Sequence, residues 1–249
     1  MLINGLIERL SAMKLHGMAQ ALEDIHNTDK GADLGFEDRL TLMIDHEETV
    51  RANRALKRRL QVAKLRFSDA AVEDVDFRHR RGLKRSSFLS LARCEWISSG
   101  YNVLITGKTG LGKTWLACAL GQRACREGYS VRYLRLPKLF EMMKAARGDG
   151  TAPRLLDRIG KTQLLILDDF GLYPMSSDQR RDLMEVIEDR AQRRSTLVTS
   201  QLDTEVWHDA FGDPTLADAI LDRLVNNAYR LKLDGDSMRT NQCPPEIEG

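Results

Sequence analysis

Eight residues restrict this chain more than any others: Gly107-Lys108-Thr109-Gly110-Leu111-Gly112-Lys113-Thr114, which meets the spacing G-x-x-x-x-G-K-S/T without a mismatch. Such a loop functions only between a buried strand and a helix, and both flanks are present. Asn102 to Thr106 reads as the strand, and Trp115 to Leu120 as the first turns of the helix. Glycine reaches the positive φ values that let backbone N–H groups turn inward around an anion, and the helix N-terminus adds its dipole. The ligand class is then a nucleoside triphosphate with magnesium. Lys113 would place its charge at the β- and γ-phosphates, and the Thr114 hydroxyl would give Mg²⁺ one oxygen.

A second signal is Leu164-Leu165-Ile166-Leu167-Asp168-Asp169, whose Asp168 lies 54 residues beyond Thr114. Four aliphatic residues read as a buried strand, and a carboxylate at its C-terminal end stands where open α/β sheets hold their ligands. Asp168 is expected to hold Mg²⁺, and Asp169 to orient or deprotonate the attacking water. Further strands are expected at Ser130–Leu134, Thr196–Thr199 and Tyr229–Leu233. Helices are expected at about 137–147, 153–159, 178–194 and 216–224. The fourth strand ends in Ser200 and Gln201, either of which could meet the γ-phosphate or the water; the alternative is a strand end with exposed polar groups. This is the pattern of an α/β fold with a parallel sheet flanked by helices.

The residues before the loop read differently. Apolar residues recur at three- and four-residue steps from Leu2 to Ile25, and a second helical pattern runs from Phe36 to Leu65. The end of that pattern carries Arg51, Arg54, Lys57, Arg58, Arg59, Lys64 and Arg66 with no acid among them. A solvated helix face is one reading, and phosphate contact the other. Net charge over the 249 residues is only +2, so a nucleic-acid argument must rest on such local patches. Residues 67–85 alternate in sign and read as a linker, and Ser86 to Ser98 reads as one helix with Ser86 or Ser87 as cap and Phe88, Leu91 and Trp96 in the core. The expected division is a helical DNA-binding or oligomerisation domain over 1–66, the linker, and a nucleotide domain over 86–249. Cys94, Cys118, Cys125 and Cys243 have no metal-ligand or disulfide spacing, and no apolar run reaches membrane length or forms a secretory signal. A cytoplasmic protein with free thiols is the expectation.

Taken together, Gly107–Thr114, Leu164–Asp169, Thr199-Ser200-Gln201, Asp222-Arg223 and Gly235-Asp236-Ser237-Met238-Arg239 resemble the IstB/DnaC branch of AAA+ ATPases. Leu15-His16-Gly17-Met18-Ala19, with no C-terminal lid domain expected, favours IstB, the transposition helper of insertion sequences, over a DnaC-like replicative helicase loader. The resemblance covers nearly the whole chain. It implies a P-loop AAA+ fold behind a small all-helical N-terminal domain, and ATP hydrolysis with Mg²⁺. Gly107 to Thr114 and Arg239 would bind ATP, Asp169 would fill the catalytic carboxylate position, and Ser200 or Gln201 would be the sensor. Many AAA+ proteins carry glutamate, one methylene longer, where Asp169 stands. Arg223 would be an arginine finger acting on a neighbouring subunit of a homo-oligomer. The two short helices between Pro137 and Ile159, with Lys144, Arg147 and Arg154, would form an insertion facing duplex DNA, and a cognate transposase would be the protein partner.

Overall fold

The computed structural model describes residues 2–28 and 34–238. The chain forms two compact units, Met1–Arg58 and Arg59–Gly249. Residues 67–85, expected as a linker, fall within the second, where Ala70, Ala71, Val72 and Val75 are buried. Their small apolar side chains, hidden among charges, hold the segment in place.

In the first unit, α1 (Leu2–Ala12) and α2 (His16–Asn27) replace the single helix expected over 2–25, and α3 (Phe36–Ala63) begins. The break is a Schellman turn. Lys14 sits at φ 63°, its N–H reaches the Ser11 carbonyl at 2.9 Å, and the Leu15 N–H reaches Leu10 at 2.9 Å. Apolar periodicity runs on through the turn, so periodicity alone joined the two helices. The reopened α2 N-terminus is capped by Glu47 of α3, which accepts from Gly17 N at 2.6 Å and Met18 N at 3.2 Å. Only glycine fits there, because a Cβ on Gly17 would lie 2.6 Å from the Glu47 Cα.

The second unit is built on five strands: β1 (Asn102–Thr106), β2 (Val131–Arg135), β3 (Leu164–Phe170), β4 (Ser195–Ser200) and β5 (Ala228–Lys232). Their order is β2-β3-β4-β1-β5, and every neighbouring pair is parallel. Helices α4 (Arg85–Leu91) and α5 (Glu95–Ser98) precede β1, and α6 (Lys113–Arg126) follows it. The later helices are α7 (Leu136–Gly148), α8 (Ala152–Lys161), α9 (Ser177–Arg190), α10 (Trp207–Phe211) and α11 (Pro214–Val225). Strand alternation divides β3 between two faces. Leu165 and Leu167 enter a core with residues of α7 to α11, while Ile166 turns to α6, where a Cβ on Gly121 would come within 2.7 Å of it. Leu164, Leu165, Ile166 and Leu167 are all fully buried aliphatics in sequence, which is why the strand was legible as a run.

Helix boundaries depart from expectation in three places. The stretch 86–98 is two helices, since Cys94 takes φ 61° between them, and the first is entered from Lys84 rather than capped by a serine. Phe88, Leu91 and Trp96 are buried as expected. Helix α9 opens with a capping box, Ser176 N to Gln179 Oε1 at 2.9 Å and Gln179 N to Ser176 Oγ at 3.3 Å, and ends at Arg190 rather than 194. Helix α10 was not expected. Trp207 and Phe211 pin it to Phe170, with ring centroids 4.6 and 6.0 Å away.

Candidate functional site

At the C-terminal ends of β1, β3 and β4 lies a cavity of about 490 Å³, within the ~300–1,000 Å³ usual for ligand sites. The loop before α6 forms its floor. Gly107 is held at φ 141° with Leu233 against it, so a Cβ there would meet the Leu233 carbonyl oxygen at 2.2 Å. Lys113 folds back over the loop, and its Nζ donates to the carbonyls of Gly107 at 2.6 Å and Lys108 at 2.7 Å. These are neutral acceptors that a phosphate outcompetes for a cation.

Asp168 is 1% exposed and is the hub of the site. Thr114 Oγ1 donates to its carboxylate, at 2.9 Å from Oδ1 and 3.1 Å from Oδ2. Tyr133 Oη, from β2, donates to Oδ2 at 2.6 Å, and Thr199 Oγ1, from β4, to Oδ1. Adjacent strand residues ordinarily point to opposite faces, yet Asp169 also lines the cavity. A bulge makes this possible: the β3–β4 register slips between Leu167 and Phe170, and Asp169 takes φ 61°, a region aspartate tolerates. Arg135 Nε holds Asp169 Oδ2 at 2.7 Å, and that bond raises the pKa of the guanidinium.

Sequence reasoning missed several residues here. Tyr133 and Arg135, two apart on β2, share a face, but nothing in the sequence says that β2 lies beside β3. Thr199 reaches Asp168, whereas the Ser200 hydroxyl is taken up by Phe170 O at 2.8 Å and Leu202 N at 3.1 Å. Both expected sensor positions line the cavity, Ser200 buried and Gln201 exposed. Arg81 is 2% exposed; it donates to Leu111 O at 2.9 Å, Met238 Sδ at 3.0 Å and Asp76 O at 3.0 Å, and burial lowers its pKa. Its Nε is buried without a hydrogen-bond partner among the described residues. Met238 N in turn donates to Gly110 O at 3.0 Å, so the segment after β5 closes on the loop.

The other expected residues are scattered. Arg223, on α11, pairs with Glu188 at 2.6 Å and does not line the cavity. Arg51 pairs with Glu47 at 2.6 Å, an acid one turn before the basic run. Arg59 Nε donates to Cys125 O at 2.9 Å. Arg147 is engaged by Asp182 at 2.7 Å and Glu185 at 3.0 Å. Arg54, Lys57, Arg58, Lys64, Lys144 and Arg154 are exposed. Arg239 and Cys243 lie outside the described residues. Cys94, Cys118 and Cys125 are free and buried, and burial pushes Cys94 and Cys125 up to about 11.

The donors present suit a nucleotide-bound magnesium better than an all-protein metal site. Among the described residues no group of three or more His, Cys, Asp and Glu converges as metal ligands. One hydroxyl and one carboxylate, Thr114 and Asp168, are what a magnesium shared with phosphates and waters requires. No helix among the described residues is long and apolar enough to cross a membrane.

Comparison with known proteins agrees with this geometry. The family described as IstB-like ATP binding protein matches residues 8–244. An insertion sequence ATP-binding protein of Sinorhizobium fredii is 48% identical over 97% of this chain and 98% of its own length. The IS21 ATP-binding protein of Pseudomonas aeruginosa is 29% identical over 94% of this chain and 88% of that protein. Among solved structures, DnaI superposes with a TM-score of 0.59 at 23% identity, over 72% of this chain and 94% of that one. The DnaC helicase loader superposes with a TM-score of 0.55 at 18% identity, over 68% and 99%. Likeness at that identity speaks for the fold, a P-loop domain with a parallel sheet.

Proposed function

The chain belongs to the IstB-like ATP binding protein family, and from that membership we propose that it is an AAA+ ATPase of an insertion sequence that binds duplex DNA as an ATP-dependent homo-oligomer and assists a transposase in engaging its target. The observation that carries the nucleotide part is the Thr114–Asp168–Asp169 constellation under a phosphate loop whose lysine rests on its own carbonyls.

In this reading Lys113 leaves Gly107 and Lys108 for the β- and γ-phosphates. Thr114 and Asp168 would hold Mg²⁺, which would neutralise charge on the phosphate oxygens. Asp169 would orient the attacking water and accept its proton, and Gln201 would touch the water or the γ-phosphate. Arg223, away from its own subunit's cavity, would have to leave Glu188 to serve a neighbour's site as a finger. The exposed cations Arg54, Lys57, Arg58, Lys144 and Arg154 would meet DNA phosphates. Few aromatics accompany them, so duplex backbone is favoured over stacked single strand. The insertion sequence relatives support a transposase as partner.

Two measurements test the reading. Lys113→Ala should lose ATP affinity, whereas Asp169→Asn should keep it and turn over slowly, because only the lysine meets ground-state phosphate. A Lys113→Ala protein with normal affinity overturns the site. With ATP, two unrelated duplexes should bind alike and weaken steeply with salt, each neutralised phosphate adding about 0.9 to the log–log slope. Replacing Arg54, Lys57 and Arg58 together by alanine should weaken both duplexes and flatten that slope. Preference for a single strand, or unchanged duplex binding, removes the DNA assignment.

A further inference from the structure

We propose that Tyr133 is a positioning residue for the magnesium of this site: with Thr199 it clamps the Asp168 carboxylate from the two neighbouring strands and fixes the orientation in which Asp168 meets the ion. The proposal rests on the reading that Thr114 and Asp168 hold Mg²⁺.

The geometry is specific. Asp168 sits on β3, flanked by β2 on one side and β4 on the other. In register, Arg135 lies opposite Asp168 on β2, so Tyr133 is one same-face position back and its ring spans the step to Oδ2 at 2.6 Å. Thr199 follows Val198, the β4 partner of Leu167, and reaches Oδ1. Each carboxylate oxygen is therefore held by a different strand, and Thr114 bonds to both from the loop. An ionised carboxylate offers about four lone-pair sites. Two hydroxyls behind it and one in front hold its plane in place before any ion arrives.

A buried tyrosine always needs a partner for its hydroxyl, so packing alone could account for a bond. It does not account for the choice of acceptor. The bond is to the carboxylate that faces the phosphate loop, matched by a second hydroxyl from the opposite strand. When Thr114 turns its oxygen to the ion, Tyr133 and Thr199 are the groups left to keep Asp168 from rotating. Outer-shell partners of this kind commonly contribute about 10–100-fold in metal affinity.

The test uses Mn²⁺ as probe, followed by electron paramagnetic resonance on the full chain with a non-hydrolysable ATP analogue. Alongside it run ATP affinity in EDTA and thermal melting without nucleotide. Tyr133→Phe keeps the ring and removes only the hydroxyl. It should weaken Mn²⁺ by about tenfold or more, leave metal-free ATP affinity unchanged, and raise the Mg²⁺ concentration for half-maximal turnover. Thr199→Val should behave likewise, and Thr199→Ser, which keeps the donor, should recover wild-type Mn²⁺ affinity. A folded Tyr133→Phe protein that binds Mn²⁺ as wild type does overturns the proposal. Should Tyr133→Phe fail to fold, the Thr199→Val and Thr199→Ser pair decides: equal Mn²⁺ affinity in the two overturns it. Asp168→Asn separates the two levels. If that variant also binds Mn²⁺ normally, the magnesium reading itself fails; if it loses the metal while Tyr133→Phe does not, only the clamp is wrong.

Discussion

An arginine meets the Asp169 carboxylate at 2.7 Å, and this contact occupies one of the two oxygens the acid could offer to water. Arg135 is about half exposed, and such pairs are worth roughly 0.2–1 kcal/mol. Releasing that oxygen from its cation frees it to accept from the attacking water. Arg135→Ala should therefore raise basal ATP turnover, by about fivefold at most, with ATP affinity unchanged; a steady-state assay at saturating ATP checks it, and slower turnover would instead place Arg135 on the phosphates. The residues at this scale divide by distance along the chain. Lys113, Thr114 and the Asp168-Asp169 pair were legible because their chemistry is written in local spacing. Tyr133, Arg135, Thr199 and Arg81 were not, because each acts on a residue that only strand order or a returning segment brings near. Ser200 misled for a related reason: a strand-end hydroxyl looks available until the bulge in β3 supplies Phe170 O as its partner.

Among elements, the α2–α3 contact shows how a short motif can be structural. Gly17, inside the Leu15–Ala19 stretch that favoured IstB over DnaC, exists to let α3 approach. Gly17→Ala should destabilise the first unit by about 1–3 kcal/mol, visible as earlier loss of helical signal in denaturant. Glu47 contributes a pH dependence whose sign is fixed. The Arg51 hydrogen bond, then the backbone N–H groups of Met18 and Gly17, lower its pKa below the ordinary 4.5. Its stabilisation is thus fully present above 4.5 and is lost as pH falls through the lower folded value. Glu47→Gln should flatten that acid limb in melts between pH 6 and about pH 3. Helix existence was legible from periodicity here, and helix breaks were not. Lys14 and Cys94 enter the left-handed region without the glycine or asparagine that ordinarily announces it.

Across the second unit, one buried cation ties distant stretches together. Arg190 is 1% exposed and meets no carboxylate among the described residues; it donates to Ile159 O and Thr162 O, each at 2.7 Å, and to Ser195 O and Thr196 Oγ1. The end of α8, the approach to β3 and the start of β4 all hang on it. Arg190→Met, which keeps length and loses every donor, should cost about 3–5 kcal/mol in chemical denaturation, since several buried carbonyls lose their partner at once. In the sequence this arginine is one more charge on the charged helix expected over 178–194, and nothing local distinguishes it. The parallel sheet was foreseeable from its aliphatic runs, and the order β2-β3-β4-β1-β5 was not. The bond from Met238 to Gly110 has a consequence in time. A ribosome making about 5–20 residues per second reaches Met238 roughly 130 residues after Gly110, so for about 6–26 seconds the newborn loop stands without its clasp, and the nascent chain cannot yet grip nucleotide as the finished one does.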